Sequence, residues 1–425
     1  YNFFFFIFTK TQAAVIDYEI EKLIRDYLNL IQTVNNSDRK VNFLIILDEN
    51  PNAFVNEKRE LYITTGLIKY SPSYKALIGV LAHELGHLEN FHISKRIDSI
   101  KKLRSINQLN SLSIIAASIL SNNSDFLLQS MATNQLGIQN YYSAFSKDQE
   151  READTYAAKT LKKLNISSKS LMDFLKFLEK KSYKKGNNPD NFMFASHPIY
   201  KERFEILRNF SIPSDDLIDK KNEERFNFIK AKLFGFTEKD NQKFDMYLKS
   251  KYLQYAESII KSRNGELKES LILLNDLIKK NENNLFLIET KADLLFAHGY
   301  SKEANKFYSV VYDKYKDNYN AKKRIFEIEY ENYVYSNLVF TIDFFQENLD
   351  LLIIFDNDAI LQTKFKDIAL TLNLLDWANY IDANFLLKAK YYQESLMIFN
   401  SILENTKDEN LKKLTYNKVK LIPNE

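Results

Sequence analysis

The 425-residue sequence lacks several features that would each assign it to a class of protein. It has no cysteine, which excludes a disulfide framework, a thiolate metal site and a cysteine nucleophile. Its 59 basic and 56 acidic residues leave a net charge of +3, without the basic excess of a dedicated nucleic-acid-binding protein. No stretch reaches the ~18 apolar residues of a membrane-spanning helix. The longest candidate, 112–120, is predicted to be a buried or interfacial helix.

Glycine and proline are scarce and concentrated in the first half of the chain. There are 8 glycines and 6 prolines, and the segment 214–422 has no proline and three glycines. Such a segment is typical of packed helices joined by short polar turns, whereas the first half has the mixed pattern of an α+β domain. We therefore predict a mainly α chain: an α+β domain with a small β-sheet over 15–212, a helical linker over 213–240 and an α-helical repeat domain over 241–425.

The N-terminal segment 1–14 combines an apolar run with small residues. Residues 1–8 are almost all aromatic or aliphatic, and the segment ends in Ala13 and Ala14. This order is typical of the end of a secretory signal, with cleavage after either alanine. The alternative is an N-terminal core strand. We predict that 1–14 is the remnant of a signal peptide and that the protein is exported.

The first half contains short apolar and β-branched runs between helical patterns. An amphipathic helix is predicted over 16–33, and a further helix begins at about Ser73. Gly66 is predicted to end the last strand before that helix. Strands are predicted over 42–47, 52–55 and 60–64, with a turn over 56–59.

The helix that begins near Ser73 carries the sequence His83-Glu84-Leu85-Gly86-His87, an H-E-x-x-H motif. Two histidines four residues apart lie on one face of a helix and can share one metal ion, while Glu84 can reach a bound water. The alternative is a solvated helix with two surface histidines, but the apolar run 76–82 indicates a buried helix. A glycine inside a helix costs about 1 kcal/mol relative to alanine, so Gly86 indicates a close approach of a backbone or substrate.

Zinc needs a third protein ligand and leaves a fourth position open. The metzincin continuation is excluded because Asn90 and Ile93 stand where that motif requires glycine and histidine. A carboxylate on a later helix remains, and Glu150 and Asp154 share one helix face, so that one can bind the ion while the other orients a ligand histidine. Glu152 points about 200° away from that face. A charged, solvated helix is the alternative, and this segment alone favours it.

Three further histidines complete the five in the chain. His197 precedes Pro198, and proline is common at the first position of a helix, so His197 is either a capping residue or a group that lines the metal site. His92 is off the face of the two motif histidines, and His298 lies in a later turn. Both are predicted to be surface residues.

These motifs resemble the zinc metallopeptidase family of HtpX and the type 1 prenyl (CAAX) endopeptidases, within it the periplasmic, repeat-containing BepA-like branch. The resemblance extends from about 15 to 210, and it implies a zincin-like peptidase domain. The matching segments are 16–21, 52–55, 61–67, 83–87, 150–154 and 196–198 with Arg203.

The resemblance also implies a role for each matching residue. His83, His87 and Glu150 would bind one Zn²⁺ per chain, and Asp154 would support a ligand histidine. Glu84 would act as general base, and His197 and Arg203 would face the tetrahedral intermediate, unless His197 caps the site in a resting state. The segment Asn52, Ala53 and Phe54 would bind substrate as an edge strand along the cleft.

The second half contains a repeat with a period of 34 residues. Small or bulky residues recur at this spacing in the pairs Gly265 and Gly299, Ser258 and Ala292, Ser270 and Ala304, and Leu274 and Tyr308. The period is that of tetratricopeptide repeats, whose stacked helices form a concave protein-binding face. A third unit ends in 390–399, out of phase with the first two, and 319–375 is predicted to hold degenerate or inserted helices. A generic helical bundle is the alternative.

The motifs, together with what the resemblance implies, predict a periplasmic zinc metalloendopeptidase that hydrolyses peptide bonds of unfolded or misassembled envelope proteins. The repeats would dock substrates or the outer-membrane assembly machinery. Peripheral association with a membrane is compatible with this prediction, and a nucleic-acid partner is not expected. The alternative is a largely latent chaperone or adaptor scaffold for outer-membrane protein assembly, and His197 at the fourth zinc position would favour it.

Overall fold

The computed structural model describes residues 15–56, 58–92, 145–184, 197, 201–210, 212, 219–239 and 244–423, without the side chains of 181–184 and 245. The predicted signal remnant 1–14 and the predicted helix 112–120 lie outside the described residues. In the described ranges, no helix combines the length and apolarity needed to cross a bilayer. The chain divides into two compact units, 1–280 and 281–425.

The first unit holds a small mixed sheet. Its strands are β1 (Asn42–Ile46), β2 (Ala53–Val55) and β3 (Glu60–Thr64), in the order β1-β3-β2. β1 runs parallel to β3, with Asn42 beside Glu60, and β2 runs antiparallel to β3, with Phe54 beside Tyr62. The three predicted strands are therefore present, and β2 is an edge of the described sheet.

Helices cover this sheet and build the core of the first unit. α1 begins after Asp17, whose side chain accepts a hydrogen bond from the backbone N–H of Ile20, and its buried residues recur at helical spacing. α2 follows β3 directly, so Gly66 lies inside a helix instead of ending the strand. The helices are α1 (Tyr18–Val34), α2 (Thr65–Tyr70), α3 (Tyr74–Glu89), α4 (Lys147–Lys163), α5 (Lys169–Lys184), α6 (Lys201–Asn209), α7 (Lys220–Thr237), α8 (Ser250–Arg263) and α9 (Leu267–Lys280).

The segment predicted as a helical linker contains α7, which is a core element of the first unit. Its side chains Phe226, Ile229 and Phe234 are completely buried, and α7 packs against α2 and α8. The boundary between the two compact units therefore lies after α9, between the two helix pairs that carry the 34-residue repeat.

All regular secondary structure in the described residues of the second unit is helical. Its core includes Trp377, Phe365 and Phe326, all at most 5% exposed. The segment 319–375 holds one long helix, two short ones and a further helix, as the break in the repeat predicts. The helices are α10 (Leu285–Ala297), α11 (Ser301–Lys314), α12 (Tyr319–Tyr335), α13 (Ile342–Glu347), α14 (Leu349–Ile354), α15 (Ala359–Thr371), α16 (Leu375–Lys388), α17 (Tyr392–Asn405) and α18 (Glu409–Val419).

Three helix pairs share one turn geometry. Gly265 between α8 and α9, Gly299 between α10 and α11, and Lys390 between α16 and α17 all have positive φ, of 90°, 82° and 65°. A left-handed residue ends a helix in a hydrogen-bonded turn. The small residues that follow, Ser270, Ala304 and Ser395, are completely buried. The fold class is therefore confirmed as mainly α with a small sheet, while the tetratricopeptide assignment of the pairs stays a prediction.

Candidate metal centre

The two motif histidines project from the buried helix α3. Ser73 caps this helix by accepting a hydrogen bond from the backbone N–H of Ala76, and apolar residues bury most of its surface. Because the histidines are four residues apart, their rings lie one above the other on the same face. The Nε2 atoms of His83 and His87 are 3.1 Å apart. Two nitrogen donors are thus directed at one point.

A carboxylate from α4 faces the same point. Ser146 and Gln149 form a capping box that starts this helix one turn before the acidic residues. Glu150 is completely buried, with Oε2 3.4 Å from His83 Nε2 and Oε1 3.4 Å from His87 Nε2. The structure therefore brings the sequence-predicted ligand residues His83, His87 and Glu150 into contact.

The spacing of these donors is compatible with a tetrahedral zinc ion. Ligand atoms about 2.0–2.1 Å from one zinc at tetrahedral angles lie about 3.3–3.4 Å apart. The two histidine nitrogens are 3.1 Å apart, and each has one of the two Glu150 oxygens at 3.4 Å. Two imidazoles and one carboxylate are also a donor set that zinc uses in peptidases. The residues present can therefore hold the ion that the sequence predicts.

Glu84 lies beside this group on α3 and is completely buried. Neither of its carboxylate oxygens has a hydrogen-bond partner among the described residues, although Oε1 is 3.3 Å from Nε2 of His197. Burial raises the pKa of the Glu84 carboxyl above its usual range. A carboxylate with unused acceptor capacity and a raised pKa suits proton transfer near neutral pH.

Asp154 and Arg203 lie behind His83, a predicted ligand. Asp154 Oδ1 is 2.9 Å from His83 Nδ1. Burial alone would lower the pKa of His83, but the Asp154 carboxylate overrides this effect and raises it to about 9. Arg203 donates from Nε and Nη2 to the two oxygens of Asp154, at 2.7 and 2.8 Å. Its Nη1 is 3.2 Å from Glu150 Oε2.

The resemblance implied that Arg203 accompanies His197 and faces a reaction intermediate, and this role stays a prediction. In the structure the guanidinium pairs in a bidentate manner with Asp154. Burial would raise the pKa of Glu150, but the charges of His197 and Arg203 hold it well below its usual range. Arg203 thus stabilises the two ionised carboxylates that contact the motif histidines.

His197 supplies a fourth donor to the cluster. It is 1% exposed, and its Nδ1 is 2.8 Å from Glu150 Oε1 and 3.3 Å from His83 Nε2. The donor atoms of His83, His87, Glu150 and His197 all lie within 4.8 Å of one another. Residue 197 therefore lines the site in the structure, which is one of the two placements that the sequence left open.

The sequence-based prediction that His92 is a surface residue is wrong. His92 is 1% exposed and its Nδ1 lies 2.9 Å from Nδ1 of His87. α3 ends at Glu89, and Phe91 has a φ of 57°, so the chain turns back towards His87 instead of continuing along the helix. His298 is half-buried at the end of α10, in the turn predicted for it.

Phe145 is a second residue that the sequence did not indicate. Its ring stacks on the ring of His87, with centroids 3.8 Å apart and planes 22° apart. It also stacks on His197, with centroids 5.2 Å apart. The apolar ring covers one side of the cluster and reduces its contact with water. A lone aromatic residue two positions before a helix carries no sequence signal for this role.

The predicted substrate strand lies at the edge of the sheet beside α3. The side chains of Asn52, Ala53 and Phe54 are buried, at 8%, 0% and 3% exposure, and Phe54 stacks on Tyr62. β2 is hydrogen-bonded to β3 along one side, and no further described strand pairs with the other. Pairing with a peptide would therefore use the backbone of β2, not these side chains.

Known proteins are similar in sequence to this chain. Residues 18–211 match the family model described as Peptidase family M48. A "Beta-barrel assembly-enhancing protease" of Yersinia pestis is 19% identical over 289 residues, which cover 64% of this chain and 58% of the relative. The protein of the same name in Escherichia coli (strain K12) is 18% identical over 299 residues, covering 67% and 60%.

A "Putative beta-barrel assembly-enhancing protease" of Vibrio cholerae serotype O1 is 21% identical over 291 residues, covering 62% of this chain and 56% of the relative. The chain thus spans less than two thirds of the length of these relatives. The family match includes α3, α4 and Arg203, the parts that build the buried cluster. It confirms the resemblance to metallopeptidases, because residues 18–211 of this chain match peptidase family M48.

Proposed function

We propose that the protein is a zinc-dependent endopeptidase that hydrolyses peptide bonds of unfolded or misassembled proteins of the cell envelope. The observation that carries this proposal is the buried group of His83, His87 and Glu150 beside a carboxylate, Glu84, that has no hydrogen-bond partner among the described residues. The M48 match and the names of the relatives support it.

The residues divide into those that hold the ion and one that moves protons. His83, His87 and Glu150 would hold zinc, which when bound lowers the pKa of a coordinated water and polarises a scissile carbonyl. Glu84 would accept the proton of the attacking water on a carboxylate oxygen and return it to the leaving amine nitrogen. Its raised pKa suits both transfers.

The edge strand β2 supports an extended peptide as the substrate. It packs beside α3, and a peptide that pairs with its backbone would lie next to the cluster. Backbone pairing gives orientation with little sequence selectivity. This mode of binding requires an unfolded segment, so it favours unfolded or misassembled chains over one defined cleavage motif.

The location and the partners are proposals of the same kind. The relatives are named for enhancing beta-barrel assembly, and transmembrane beta-barrels are characteristic of outer membranes. We therefore place this protein in the periplasm, either free or peripherally bound to a membrane. The helix pairs of the second half would dock substrates or the outer-membrane assembly machinery.

The test of the peptidase proposal is the variant Glu84→Gln. It should retain zinc, because Glu84 is not a ligand, while hydrolysis of unfolded casein falls by about 10²–10⁴-fold through loss of the general base. Glu202→Gln, an exposed change on α6, is the control and should hydrolyse casein like the wild type. Equal activity of Glu84→Gln and wild type would contradict the assignment of Glu84 as general base.

A second candidate function is favoured by the position of His197. Its Nδ1 lies 3.3 Å from Nε2 of His83, and with zinc bound it would take the position that a water needs. The protein would then be a largely latent chaperone or adaptor scaffold for outer-membrane protein assembly. The variant His197→Ala separates the two functions. Hydrolysis that appears only in this variant supports the latent scaffold, and hydrolysis by the wild type supports the peptidase.

A further inference from the structure

His92 connects a predicted zinc ligand to a carboxylate at the protein surface. Its Nδ1 is 2.9 Å from Nδ1 of His87, and its Nε2 is 2.9 Å from Oε2 of Glu152. The His92 side chain is 1% exposed, whereas that of Glu152 is 55% exposed. Gln149 also donates from Nε2 to the backbone carbonyl of His92, at 3.4 Å, which holds the residue against α4.

When His87 binds a metal, the series of hydrogen bonds from His87 through His92 to Glu152 permits one set of proton positions. The Nε2 atom of His87 faces the other ligands, so it must be unprotonated and the ring proton must be on Nδ1. Nδ1 of His92 must then accept this proton in a hydrogen bond, and His92 carries its own proton on Nε2. That proton is donated to the carboxylate of Glu152.

We propose that His92 is a positioning residue that, as the neutral Nε2–H tautomer, accepts from His87 and donates to Glu152 and so fixes the metal-binding tautomer and ring orientation of His87. The proposal rests on the proposed zinc site. The two motif histidines are then oriented in different ways. Nδ1 of His83 is opposite a buried carboxylate, Asp154, whereas Nδ1 of His87 is connected to a carboxylate, Glu152, through the imidazole of His92.

Three acidic residues of the segment 150–154 lie near the proposed metal site. Glu150 and Asp154 lie on one face of α4 and contact the motif histidines directly. Glu152 lies on another face, yet it joins the site because His92 bridges the distance. Three carboxylates of one helix thus serve the proposed metal site: Glu150 as a ligand, Asp154 as the partner of His83, and Glu152 as the partner of His92.

Zinc affinity tests the proposal without a peptidase assay. His92→Leu removes both ring nitrogens and should weaken zinc binding by about 10–100-fold, the usual effect of losing the partner of a ligand histidine. His92→Asn keeps an acceptor oxygen at the position of Nδ1 and should restore affinity to within several-fold of the wild type. Affinity would be measured by competition with a zinc chelator, with His298→Leu as the control for a histidine outside the site.

The double variant shows whether Glu152 acts through His92. Glu152→Ala alone should weaken zinc binding by a few-fold, and it should add nothing in the His92→Leu background. Histidine-labelled protein gives a second readout, because long-range proton–nitrogen NMR spectra report the tautomer of each of the five histidines. In the zinc-bound protein, His92 should carry its proton on Nε2.

The outcomes separate this proposal from the proposed function. If His87→Ala retains full zinc affinity, the metal assignment itself is wrong. If His87→Ala loses zinc while His92→Leu binds like the wild type, the ligand set stands and the role of His92 is overturned. A proton on Nδ1 of His92 in the zinc-bound protein would overturn it as well.

Discussion

At the residue scale, the site gathers ionisable groups that water would otherwise solvate. His83, Glu84, Glu150, Asp154 and Arg203 are each at most 5% exposed. A buried charge is costly unless it is paired and hydrogen-bonded. Asp154 meets this condition through Arg203, and burial, which would raise its pKa, is outweighed by the guanidinium that lowers it. The folded state therefore depends on this pairing.

Replacement of Arg203 tests that dependence. Arg203→Ala leaves the carboxylates of Asp154 and Glu150 buried without their guanidinium, so we expect the free energy of unfolding of the first unit to fall by about 3–5 kcal/mol. Arg208→Ala on the exposed face of α6 is the matched control and should change it by less than about 0.5 kcal/mol. Urea titrations followed by circular dichroism measure both variants.

The single tryptophan provides an internal reference in these titrations. Trp377 lies in the core of the second unit, so its fluorescence follows that unit, and its transition should be unchanged by Arg203→Ala. Similar small losses of stability for Arg203→Ala and Arg208→Ala would contradict the role assigned to the buried pair.

Sequence spacing predicted the ligand candidates better than their supporting residues. The i, i+4 spacings of His83 with His87 and of Glu150 with Asp154 follow from helix geometry, and the structure brings all four side chains together. His92 was not predicted because its position depends on where α3 ends and on the positive φ of Phe91. The bidentate partner of Arg203 likewise depends on tertiary packing that no local spacing encodes.

At the scale of elements, the close crossing of α3 and α4 brings the proposed ligands together. A Cβ atom on Gly86 would lie 3.0 Å from Cα and 3.1 Å from the carbonyl oxygen of Ala153. The sequence left open whether a backbone or a substrate approaches this glycine, and in the structure it is the backbone of α4. The distance between the motif histidines and Glu150 thus depends on the absence of a side chain at Gly86.

Gly86→Ala should push the two helices apart. Overpacking against backbone typically costs 1–3 kcal/mol, which outweighs the gain of about 1 kcal/mol in helix propensity. We therefore expect a net loss of stability of up to about 2 kcal/mol and weaker zinc binding. The measurements are urea unfolding and chelator competition.

Gly79→Ala on the same helix is the control. The atoms nearest to its Cβ would belong to the side chain of Leu171, from 3.0 Å, and a side chain can move more easily than a backbone. We expect this variant to keep its zinc affinity and to change stability by less than Gly86→Ala. Unchanged zinc binding in Gly86→Ala would show that the crossing does not set the ligand geometry.

Secondary structure was predictable where the local pattern was strong. The strand over 60–64 and the helix that follows Ser73 are found at the predicted positions. Gly66 was misassigned because β3 passes into α2 without a turn, with Thr64 acting as the helix cap. The prediction relied on glycine as a turn former, whereas the chain uses a threonine cap at this point.

At the scale of the whole molecule, the repeat pattern predicted the helix pairs but not the division into units. The turns at Gly265 and Gly299 recur 34 residues apart, and Lys390 adopts the same backbone conformation without a glycine. The division falls after 280 because α7 and α8 pack together in the first unit, and α9 packs on α8. A linear pattern of small residues does not reveal such packing.

We propose that each chain binds one zinc ion at the cluster formed by α3 and α4. The most direct measurement is an anomalous difference map at the zinc absorption edge from crystals of the protein purified with zinc. We predict one peak per chain, about 2.0–2.2 Å from Nε2 of His83, Nε2 of His87 and a carboxylate oxygen of Glu150. The absence of a peak there, or a peak that contacts other side chains, would contradict the account.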